Sequence, residues 1–456
     1  MSLLDQLPFE VLIQIFDHLP SYTERKLPMK LWHHERKVID ALKYAHWKFE
    51  RHFDYSKIDP PDSLNDLYDV DASFNYMLSN DFLMKAWGRS TIKYIDLRGC
   101  PKLTDSGICA ISGRIVKINL TDCPHITNET LFSLKGVKDL RLRRCSLITD
   151  EGVMALIGVE HLDLTSCYKV TDKSLEAIGN SIRKINLTRC FEISDDGVAA
   201  LCNVVKLKLN ACTKITGRTL NQLPKLQDIS LRRCYQVSNR YMEALRGKKR
   251  VNLSRCRYIS DMTLQYLSGV ESVKLNGCAR ITWEGVRCLA GAKEINLSGC
   301  SGRMIGEKGI VPLAGVRCIY LPHVKGVNDR CLEALSGVRE INLRGCSEFT
   351  NKGLASLAGV EKISLAFCRQ VRDEGLRFLA GVKCIDLSEC EGITDNGLRA
   401  LAGVVEINIY ECRLVTDEGV KALLGVRCIR MKGCPLITKE AELFLKKNSK
   451  SCHVWR

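Results

Sequence analysis

The sequence lacks the patterns that mark membrane proteins and nucleotide-dependent enzymes. Its 456 residues contain no run of about eighteen uncharged apolar residues, so we expect no transmembrane helix. Neither of the glycine-rich loops that cradle phosphate groups, G-x-x-x-x-G-K-[ST] and G-x-G-x-x-G, occurs in it. The nine histidines stand at no recognisable catalytic spacing from Asp, Ser or Cys. These absences predict a protein that is not itself an enzyme.

Signals for metal binding and for secretion are missing as well. The twenty-three cysteines include no C-x-x-C pair and have no companion histidine cluster, so we predict no bound metal and no other cofactor. The start, Met1-Ser-Leu-Leu-Asp5, has no basic region followed by an apolar one, so we expect no secretory signal. A cysteine-rich chain without such a signal is expected in a reducing compartment, the cytoplasm or the nucleus.

What the sequence does contain is a cysteine that returns almost every twenty-two residues. Each one closes a segment such as Ile295-Asn-Leu-Ser-Gly-Cys300, and Val324 fills one further slot, which makes sixteen units. A fixed period in the twenties with the form L-x-x-L-x-L-x-x-C predicts a leucine-rich-repeat solenoid, an α/β fold with one short strand in each unit. The fifteen ladder cysteines are Cys100, Cys123, Cys145, Cys167, Cys190, Cys212, Cys234, Cys256, Cys278, Cys300, Cys346, Cys368, Cys390, Cys412 and Cys434.

The pattern within a unit predicts which residues face the core. The Ile and Leu of each I-x-L triplet point inward on successive strands, and the residues between them point to the open side. We expect a horseshoe or superhelix with parallel strands inside and short helices outside. The ladder cysteines are predicted to be small, semi-buried side chains that donate a weak hydrogen bond to a neighbouring carbonyl.

The return segment of each unit carries start and stop signals for a short helix. A Thr or Ser hydroxyl can accept an N–H at the helix start, and the acidic residue after it lies where the helix dipole favours it. Such pairs are Thr104-Asp105, Thr149-Asp150, Ser194-Asp195 and Thr416-Asp417. A glycine able to adopt the left-handed conformation then ends the helix. Examples are Gly158, Gly337, Gly359, Gly381, Gly403 and Gly425.

Residues 7–19 stand outside the period. Apolar residues at positions 11, 12, 15, 16 and 19 have the i, i+3, i+4 spacing of an amphipathic helix. Pro8 suits the first turn of that helix, and Glu10 suits the positive end of its dipole. These features alone predict a helix that buries one face, and a cap over the first repeat would satisfy them.

The segment Leu7-Pro8-x-Glu10-Val11-Leu12-x-x-Ile15-Phe16-x-x-Leu19 resembles the opening of an F-box. The cysteine-type repeats resemble the leucine-rich-repeat partner that follows F-boxes in one large family. The resemblance implies a non-catalytic substrate receptor of an SCF-type ubiquitin ligase, whose F-box docks on the Skp-type adaptor of a cullin scaffold while the repeats hold the target protein. The residues implied in adaptor binding are Leu7, Pro8, Glu10, Val11, Leu12, Ile15, Phe16 and Leu19.

These interpretations divide the chain into four parts. Residues 1–50 would form the F-box-like helical segment, 51–90 a linker and N-terminal cap, 91–434 the sixteen repeats, and 435–456 a C-terminal cap. The alternative is a leucine-rich-repeat protein-binding scaffold whose N-terminal helix is only a cap.

The chain has a net charge of +16. Charged residues are unevenly distributed over its open-side positions, which lie six, four, two and one residues before each cysteine slot. Repeats one to nine carry fourteen Lys or Arg there against five Asp or Glu, and repeats ten to sixteen carry four against six. Because arginine makes bidentate contacts with phosphate and carboxylate groups, the basic half is predicted to bind an acidic or phosphorylated protein segment. A solvated face without a ligand and a nucleic-acid site are the alternatives.

Aromatic residues bear on that choice. No aromatic stacking platform interleaves with the basic open-side positions, which argues against single-stranded nucleic acid. In the later repeats, exposed aromatics at open-side positions are predicted interface anchors. The residues predicted to contact the substrate are Arg141, Arg143, Arg144, Arg189, Arg232, Arg233, Arg255, Tyr320, Phe367 and Tyr410.

Overall fold

The structure, a computed structural model, describes residues 47–48, 69–87, 92–300, 305–448 and 452–455. The F-box-like segment at residues 7–19 lies outside these ranges. The chain divides into two compact units. The first comprises the residues up to Ile215 together with Gln222–Leu226, and the second comprises Thr216–Asn221 together with the residues from Gln227 onward.

The first unit alternates short strands with short helices, and its neighbouring strands pair in parallel. Its strands are β1 (Trp47–Lys48), β2 (Asp69–Asp71), β3 (Tyr94–Asp96), β4 (Lys117–Asn119), β5 (Asp139–Arg141), β6 (His161–Asp163), β7 (Lys184–Asn186) and β8 (Lys206–Lys208). Its helices are α1 (Asn80–Trp87), α2 (Asp105–Ile111), α3 (Asn128–Ser133), α4 (Asp150–Met154), α5 (Asp172–Ile178) and α6 (Asp195–Ala199).

The second unit has the same alternation and parallel pairing. Its strands are β9 (Asp228–Ser230), β10 (Arg250–Asn252), β11 (Ser272–Lys274), β12 (Glu294–Asn296), β13 (Cys318–Tyr320), β14 (Glu340–Asn342), β15 (Lys362–Ser364), β16 (Cys384–Asp386), β17 (Glu406–Asn408), β18 (Cys428–Arg430) and β19 (His453–Trp455). Its helices are α7 (Asp261–Leu264), α8 (Trp283–Val286), α9 (Gly306–Ile310), α10 (Asp329–Ala334), α11 (Asn351–Ala355), α12 (Asp373–Leu376), α13 (Asp395–Ala400), α14 (Asp417–Lys421) and α15 (Lys439–Asn448).

Short 3₁₀ helices complete some of the return segments. They span Ser112–Arg114, Leu220–Gln222, Asn239–Leu245, Gln265–Leu267, Arg287–Leu289, Val311–Leu313 and Arg377–Leu379. Within the described ranges, every helix is too short or too polar to cross a bilayer.

The strand register follows from the apolar spacing in the sequence. Ile118 at the centre of β4 pairs with Ile95 on one side and Leu140 on the other, and all three are at most 3% exposed. Leu120, two residues beyond Ile118, is fully buried as well. Each repeat thus adds the same apolar layer to the core, and the predicted leucine-rich-repeat solenoid is confirmed as the fold.

The ladder cysteines make the predicted hydrogen bonds. The thiol of Cys123 donates to the carbonyl of Leu97 in the preceding repeat at 3.2 Å, and the thiol of Cys390 donates to Leu365 at 3.1 Å. Burial raises the pKa of the Cys123 thiol to about 11, so the thiol keeps its proton. None of the twenty-three cysteines, all of which are described, forms a disulfide.

The helix-side residues form a second ladder, which links each repeat to the next. The carboxylate of Asp150 accepts the N–H of Thr171 at 2.7 Å and its hydroxyl at 2.6 Å. In the second unit, Asp373 accepts the same pair of bonds from Thr394. The acidic residue therefore does more than complement the helix dipole, because it ties its own helix start to the following one.

The predicted hydroxyl caps are present at two of the four quoted positions. Ser194 and Thr416 accept the N–H of the residue two positions later. Thr104 and Thr149 make no such bond. In their case the preceding repeat has an asparagine, and the amide group of Asn128 donates to the hydroxyl of Thr149 at 2.7 Å. The hydroxyl is thereby engaged between repeats rather than within its own helix.

The glycines predicted to end the helices are in the left-handed conformation, but each lies three to five residues beyond the last residue of its α-helix, in the turn that leads to the next strand. Gly158 has φ of +87° and Gly425 also has φ of +87°, and the four other quoted glycines lie between +78° and +88°. A side chain is disfavoured at such angles, which explains why glycine recurs at this exit.

Candidate partner-binding surfaces

A tight turn follows every repeat strand and presents one residue in an unusual conformation. In the turn Leu142–Cys145, the N–H of Cys145 donates to the carbonyl of Leu142 at 3.0 Å, and the third residue, Arg144, has φ of +61°. Positive φ at that position is typical of turns that favour glycine. We call the residue before each ladder slot the turn residue; across the array it has φ between +57° and +80°. Five predicted substrate-contacting residues occupy this position, namely Arg144, Arg189, Arg233, Arg255 and Phe367.

In the first unit, the predicted cluster of three arginines is exposed but divided between two locations. Arg141 is the last residue of β5 and lines a shallow groove of about 380 Å³ over the strands. Arg143 and Arg144 follow in the turn, where Arg144 forms an ion pair with Asp122 at 3.0 Å. Arg143 makes no side-chain hydrogen bond or ion pair within the described residues. It is thus the arginine of the three that is most available to a partner.

The groove beside Arg141 is basic. It is lined by Lys184, Lys206 and Lys208 on β7 and β8, and by the carboxylates of Asp139 and Asp163. The carboxylate of Asp139 lies within 3.9 Å of side-chain nitrogens of Lys117, Arg141 and His161. Asp163 accepts a hydrogen bond from the N–H of Thr165. The carboxylates are therefore already engaged, and the lysines give the groove its net positive charge.

Arg189 lies in the first unit beside an aromatic pair that the sequence reasoning missed. Within the described residues its side chain has no ion pair. Tyr168 and Phe191 follow their ladder cysteines directly, and their rings stack at 5.6 Å with an interplanar angle of 10°. They are 48% and 39% exposed. Only the four strand-side positions were expected to face a partner, whereas the turn brings these following residues to the surface as well.

The second unit begins with the other predicted arginines. Arg232 is exposed, Arg233 is partly exposed, and Arg255 is exposed in the next repeat. Residues just beyond the same turns make contacts of their own, which the sequence reasoning missed. The guanidinium of Arg257 lies 4.9 Å from the ring centre of Tyr235, and that of Arg280 lies 5.5 Å from the ring centre of Tyr258.

The three predicted aromatic anchors are in the second unit but do not form one patch. Tyr320 lies on β13 and Tyr410 just after β17, four repeats away, or roughly 19 Å at about 4.8 Å for each strand. Phe367 lies between them, and the guanidinium of Arg344 is 4.4 Å from its ring centre. Tyr410 is 37% exposed, and Tyr320 and Phe367 are partly exposed.

Tyr320 belongs to a groove of about 260 Å³ over β13 to β18, which is lined by three carboxylates and by the cationic side chains of Lys362 and Arg430. Its hydroxyl donates to Glu340 at 2.6 Å. Burial, followed by this bond to Glu340, raises the pKa of Tyr320, so the phenol stays neutral. The carboxylates of Asp386 and Glu406 also line the groove. This groove therefore presents charges of both signs.

No metal centre is present in the described part of the chain, where no three His, Cys, Asp or Glu side chains lie close enough together to hold an ion. The eight residues implied in adaptor binding, Leu7 to Leu19, fall outside the described residues. The surfaces described above lie on a repeat array, a fold that offers extended binding faces.

Comparison with known proteins agrees with the repeat assignment. A family model described as Leucine Rich repeat matches residues 137–156 and 382–402, and each matched segment contains one strand and the helix that follows it. No curated protein matches the chain.

Solved structures of low sequence identity are similar to it. A chain of the yeast Rad7 and Elc1 complex is 14% identical, with 84% of this chain and 85% of that chain covered and a TM-score of 0.40. A chain of the TLR13–ssRNA13 complex is 14% identical, with coverage of 89% and 70% and a TM-score of 0.47. A leucine-rich-repeat protein of Leptospira interrogans is 13% identical, with coverage of 92% and 98% and a TM-score of 0.41.

Proposed function

We propose that this protein is the substrate-recognition subunit of a cullin-RING ubiquitin ligase of the SCF type. The observation that carries the proposal is the order of two sequence features, an F-box-like segment at residues 7–19 followed by sixteen cysteine-type leucine-rich repeats. The segment would dock on a Skp-type adaptor, and the repeats would hold the protein to be ubiquitinated. The chain itself would supply recognition and no catalytic group.

The described residues that precede the first repeat favour this role over a simple cap. Strand β2 pairs with β3 and covers its edge, and the thiol of Cys100 donates to the carbonyl of Ala72 at 3.2 Å. Helix α1 buries Leu83 and Trp87 beside the first repeat helix. Residues 69–87 therefore already shield the start of the array, as solenoids require. A separate cap at residues 7–19 is not needed for that purpose.

The basic surface of the first unit supports the proposed substrate class, an acidic or phosphorylated protein segment. Arg143 has no carboxylate partner within the described residues, and Arg141 borders a groove with three lysines. Guanidinium groups bind phosphate and carboxylate oxygens in a bidentate geometry. A substrate segment carrying such groups would satisfy charges that the protein leaves exposed.

Affinity purification of the full chain under native conditions, followed by mass spectrometry, tests the proposal. Adaptor and cullin peptides that co-purify at near-stoichiometric amounts are the expected result. Their absence, with other proteins retained on the repeats, would favour a binding scaffold outside any ubiquitin ligase. Reconstitution with purified Skp-type adaptor then distinguishes direct docking from an indirect association.

A further inference from the structure

Three successive turns near the start of the second unit form a strongly basic edge. It comprises the residue before, and the two residues after, each of Cys234, Cys256 and Cys278. None of these nine residues is acidic. We use the name arginine rim for the six aromatic and cationic residues among them. They are Arg233, Tyr235, Arg255, Arg257, Tyr258 and Arg280.

Within the part of the chain that the structure describes, no carboxylate neutralises the positive charge of the arginine rim. On the adjacent strand surface, Arg250 forms an ion pair with Asp228 at 3.3 Å, and Lys274 forms one with Glu294 at 3.1 Å. By contrast, Arg233 and Arg255 have no ion pair within the described residues. Unpaired guanidinium groups on neighbouring repeats attract phosphate groups.

These two arginines occupy a backbone conformation that favours glycine. Their φ angles are +60° and +61°, and the same position in the next two repeats is taken by Gly277 and Gly299, with φ of +70° and +68°. A side chain in the left-handed region is strained relative to glycine. Eleven of the sixteen turn residues share this strain, so it does not by itself mark a site. Arg233 and Arg255 are distinguished by their charge, which has no ion-pair partner within the described residues.

Two exposed aromatic rings lie beside these arginines. Tyr235 is 42% exposed and Tyr258 is 49% exposed. Each ring is already stacked against one guanidinium, at 4.9 Å for Arg257 and 5.5 Å for Arg280. Flat rings interleaved with arginines are the arrangement on which successive bases of a single strand stack while the phosphates are bound alongside. The absence of such a platform was the sequence argument against nucleic acid, and for these repeats its premise does not hold.

We propose that the arginine rim binds single-stranded nucleic acid. Arg233 and Arg255 contact phosphates, and bases stack on the exposed part of the Tyr235 and Tyr258 rings, which Arg257 and Arg280 hold in place. A duplex fits less well, because its bases are stacked inside and cannot reach the tyrosines. An acidic protein segment would use the arginines but would gain little from the planar rings. This inference is independent of the proposed role in ubiquitin ligation.

Fluorescence anisotropy of the full chain with a labelled oligouridine of about sixteen nucleotides tests the proposal. The double variant Arg233→Gly/Arg255→Gly removes both charges and places glycine where the backbone favours it. We expect it to bind at least about tenfold more weakly at about 100 mM salt. The slope of the logarithm of the binding constant against the logarithm of the salt concentration, here called the salt slope, should be smaller in magnitude by about 1.4, since each phosphate contact on a single strand contributes roughly 0.7.

The tyrosines give a different signature. The double variant Tyr235→Leu/Tyr258→Leu should also weaken binding by about tenfold or more, because each stacked base contributes to the binding free energy. Its salt slope should stay that of the wild type, because no charge is removed. The matched control is Arg369→Ala/Arg413→Ala. These arginines also follow a ladder cysteine, but they form ion pairs with Glu391 at 3.5 Å and Glu411 at 3.2 Å. The control should bind as tightly as the wild type.

Several results would overturn the proposal. One is a wild-type protein that binds the oligonucleotide no better than the glycine variant does. Another is equal affinity for a duplex of the same length. A third is a phosphoserine peptide whose binding is lost in the arginine variant and kept in the tyrosine variant, which would assign the rim to an acidic protein segment. Thermal melting of each variant accompanies the titrations, and the glycine variant should melt at or above the wild-type temperature.

Discussion

Asp395 and Thr416, which belong to neighbouring repeats, are joined by two hydrogen bonds to one carboxylate. The N–H of Thr416 donates at 2.8 Å and its hydroxyl donates at 2.7 Å. Equivalent pairs recur along the helix side in both units. They connect the start of one helix to the start of the next, so they set how the helices of neighbouring repeats are aligned.

We predict that Asp395→Ala lowers the free energy of unfolding by about 2 kcal/mol, because hydrogen bonds to charged groups typically contribute 1.5 to 3 kcal/mol. The matched variant is Asp395→Asn. Asn128 at the equivalent position accepts the N–H of Thr149 and donates to its hydroxyl. The Asp395→Asn variant should therefore lose less than half as much unfolding free energy as Asp395→Ala. Urea titration followed by circular dichroism measures both. Equal losses for the two variants would contradict this account of the ladder.

Gly419 should be intolerant of a side chain because of the same carboxylate. A Cβ built on Gly419 would overlap the Oδ1 atom of Asp395. We expect Gly419→Ala to destabilise the protein by about 1 to 3 kcal/mol, the range for an overpacked site. In the Asp395→Ala background the penalty should fall by about 1 kcal/mol, since residues in contact couple. Additive losses in the double-mutant cycle would show that the carboxylate is not the obstacle.

The thiols should differ widely in reactivity. Cys109 on α2 is exposed, whereas Cys278 is fully buried and burial raises the pKa of its thiol to about 11. Because the thiolate is the nucleophile, we expect iodoacetamide to label Cys109 first and the ladder cysteines last, even at about pH 9. Peptide mass spectrometry of the native protein follows the order. Labelling of Cys278 as fast as Cys109 would contradict the buried, protonated ladder.

A charge on the apolar face of the helix predicted at residues 7–19 should abolish adaptor binding if the F-box proposal holds. We expect Ile15→Asp to prevent co-purification with the Skp-type adaptor, because an unpaired charge is costly in a buried interface. Gln14→Asp introduces the same charge at a position outside the predicted apolar face and should bind normally. The melting temperature of the repeats should stay unchanged in both. Its collapse in Ile15→Asp alone would mean that the helix is a cap.

Reversing the charge of the arginine cluster of the first unit should abolish substrate capture and leave adaptor binding intact. We expect the triple variant Arg141→Glu/Arg143→Glu/Arg144→Glu to lose substrate, because the surface would repel acidic groups, and to keep the adaptor. Wild-type substrate binding should weaken as salt rises, since exposed charges are screened beyond about 8 Å at physiological ionic strength. Undiminished capture by the triple variant would move the substrate site to another surface, such as the groove near Tyr320.

The sequence predicted the fold well because its signals were periodic. The spacing of Ile118 and Leu120 recurs in every repeat, and only one strand register can bury all of these side chains. The ladder cysteines were also predictable, since a small donor after each strand has a carbonyl within reach in the preceding repeat. Local chemistry and the twenty-two-residue period together determine these features.

The surfaces were harder to predict, because they depend on how neighbouring repeats align. Asp150 was assigned only to its own helix dipole, and its bond to Thr171 follows from the offset between two helices. The aromatic pair Tyr168 and Phe191 went unnoticed for a related reason. Residues after the cysteine become part of the surface only once the turn is closed, and a pattern confined to the strand does not include them.

The turn residue has a consequence for how such proteins diversify. Sixteen turns in this chain place eight residue types there: Gly, Asp, Arg, Ser, Ala, His, Phe and Glu. Valine, isoleucine and threonine are missing, as expected where φ is positive and branching at Cβ is most unfavourable. Because the neighbouring cysteine and leucine form the apolar layer, this position can change charge, size or aromaticity while the core stays intact. New binding specificities can therefore evolve by single substitutions, repeat by repeat, without a compensating change in the scaffold.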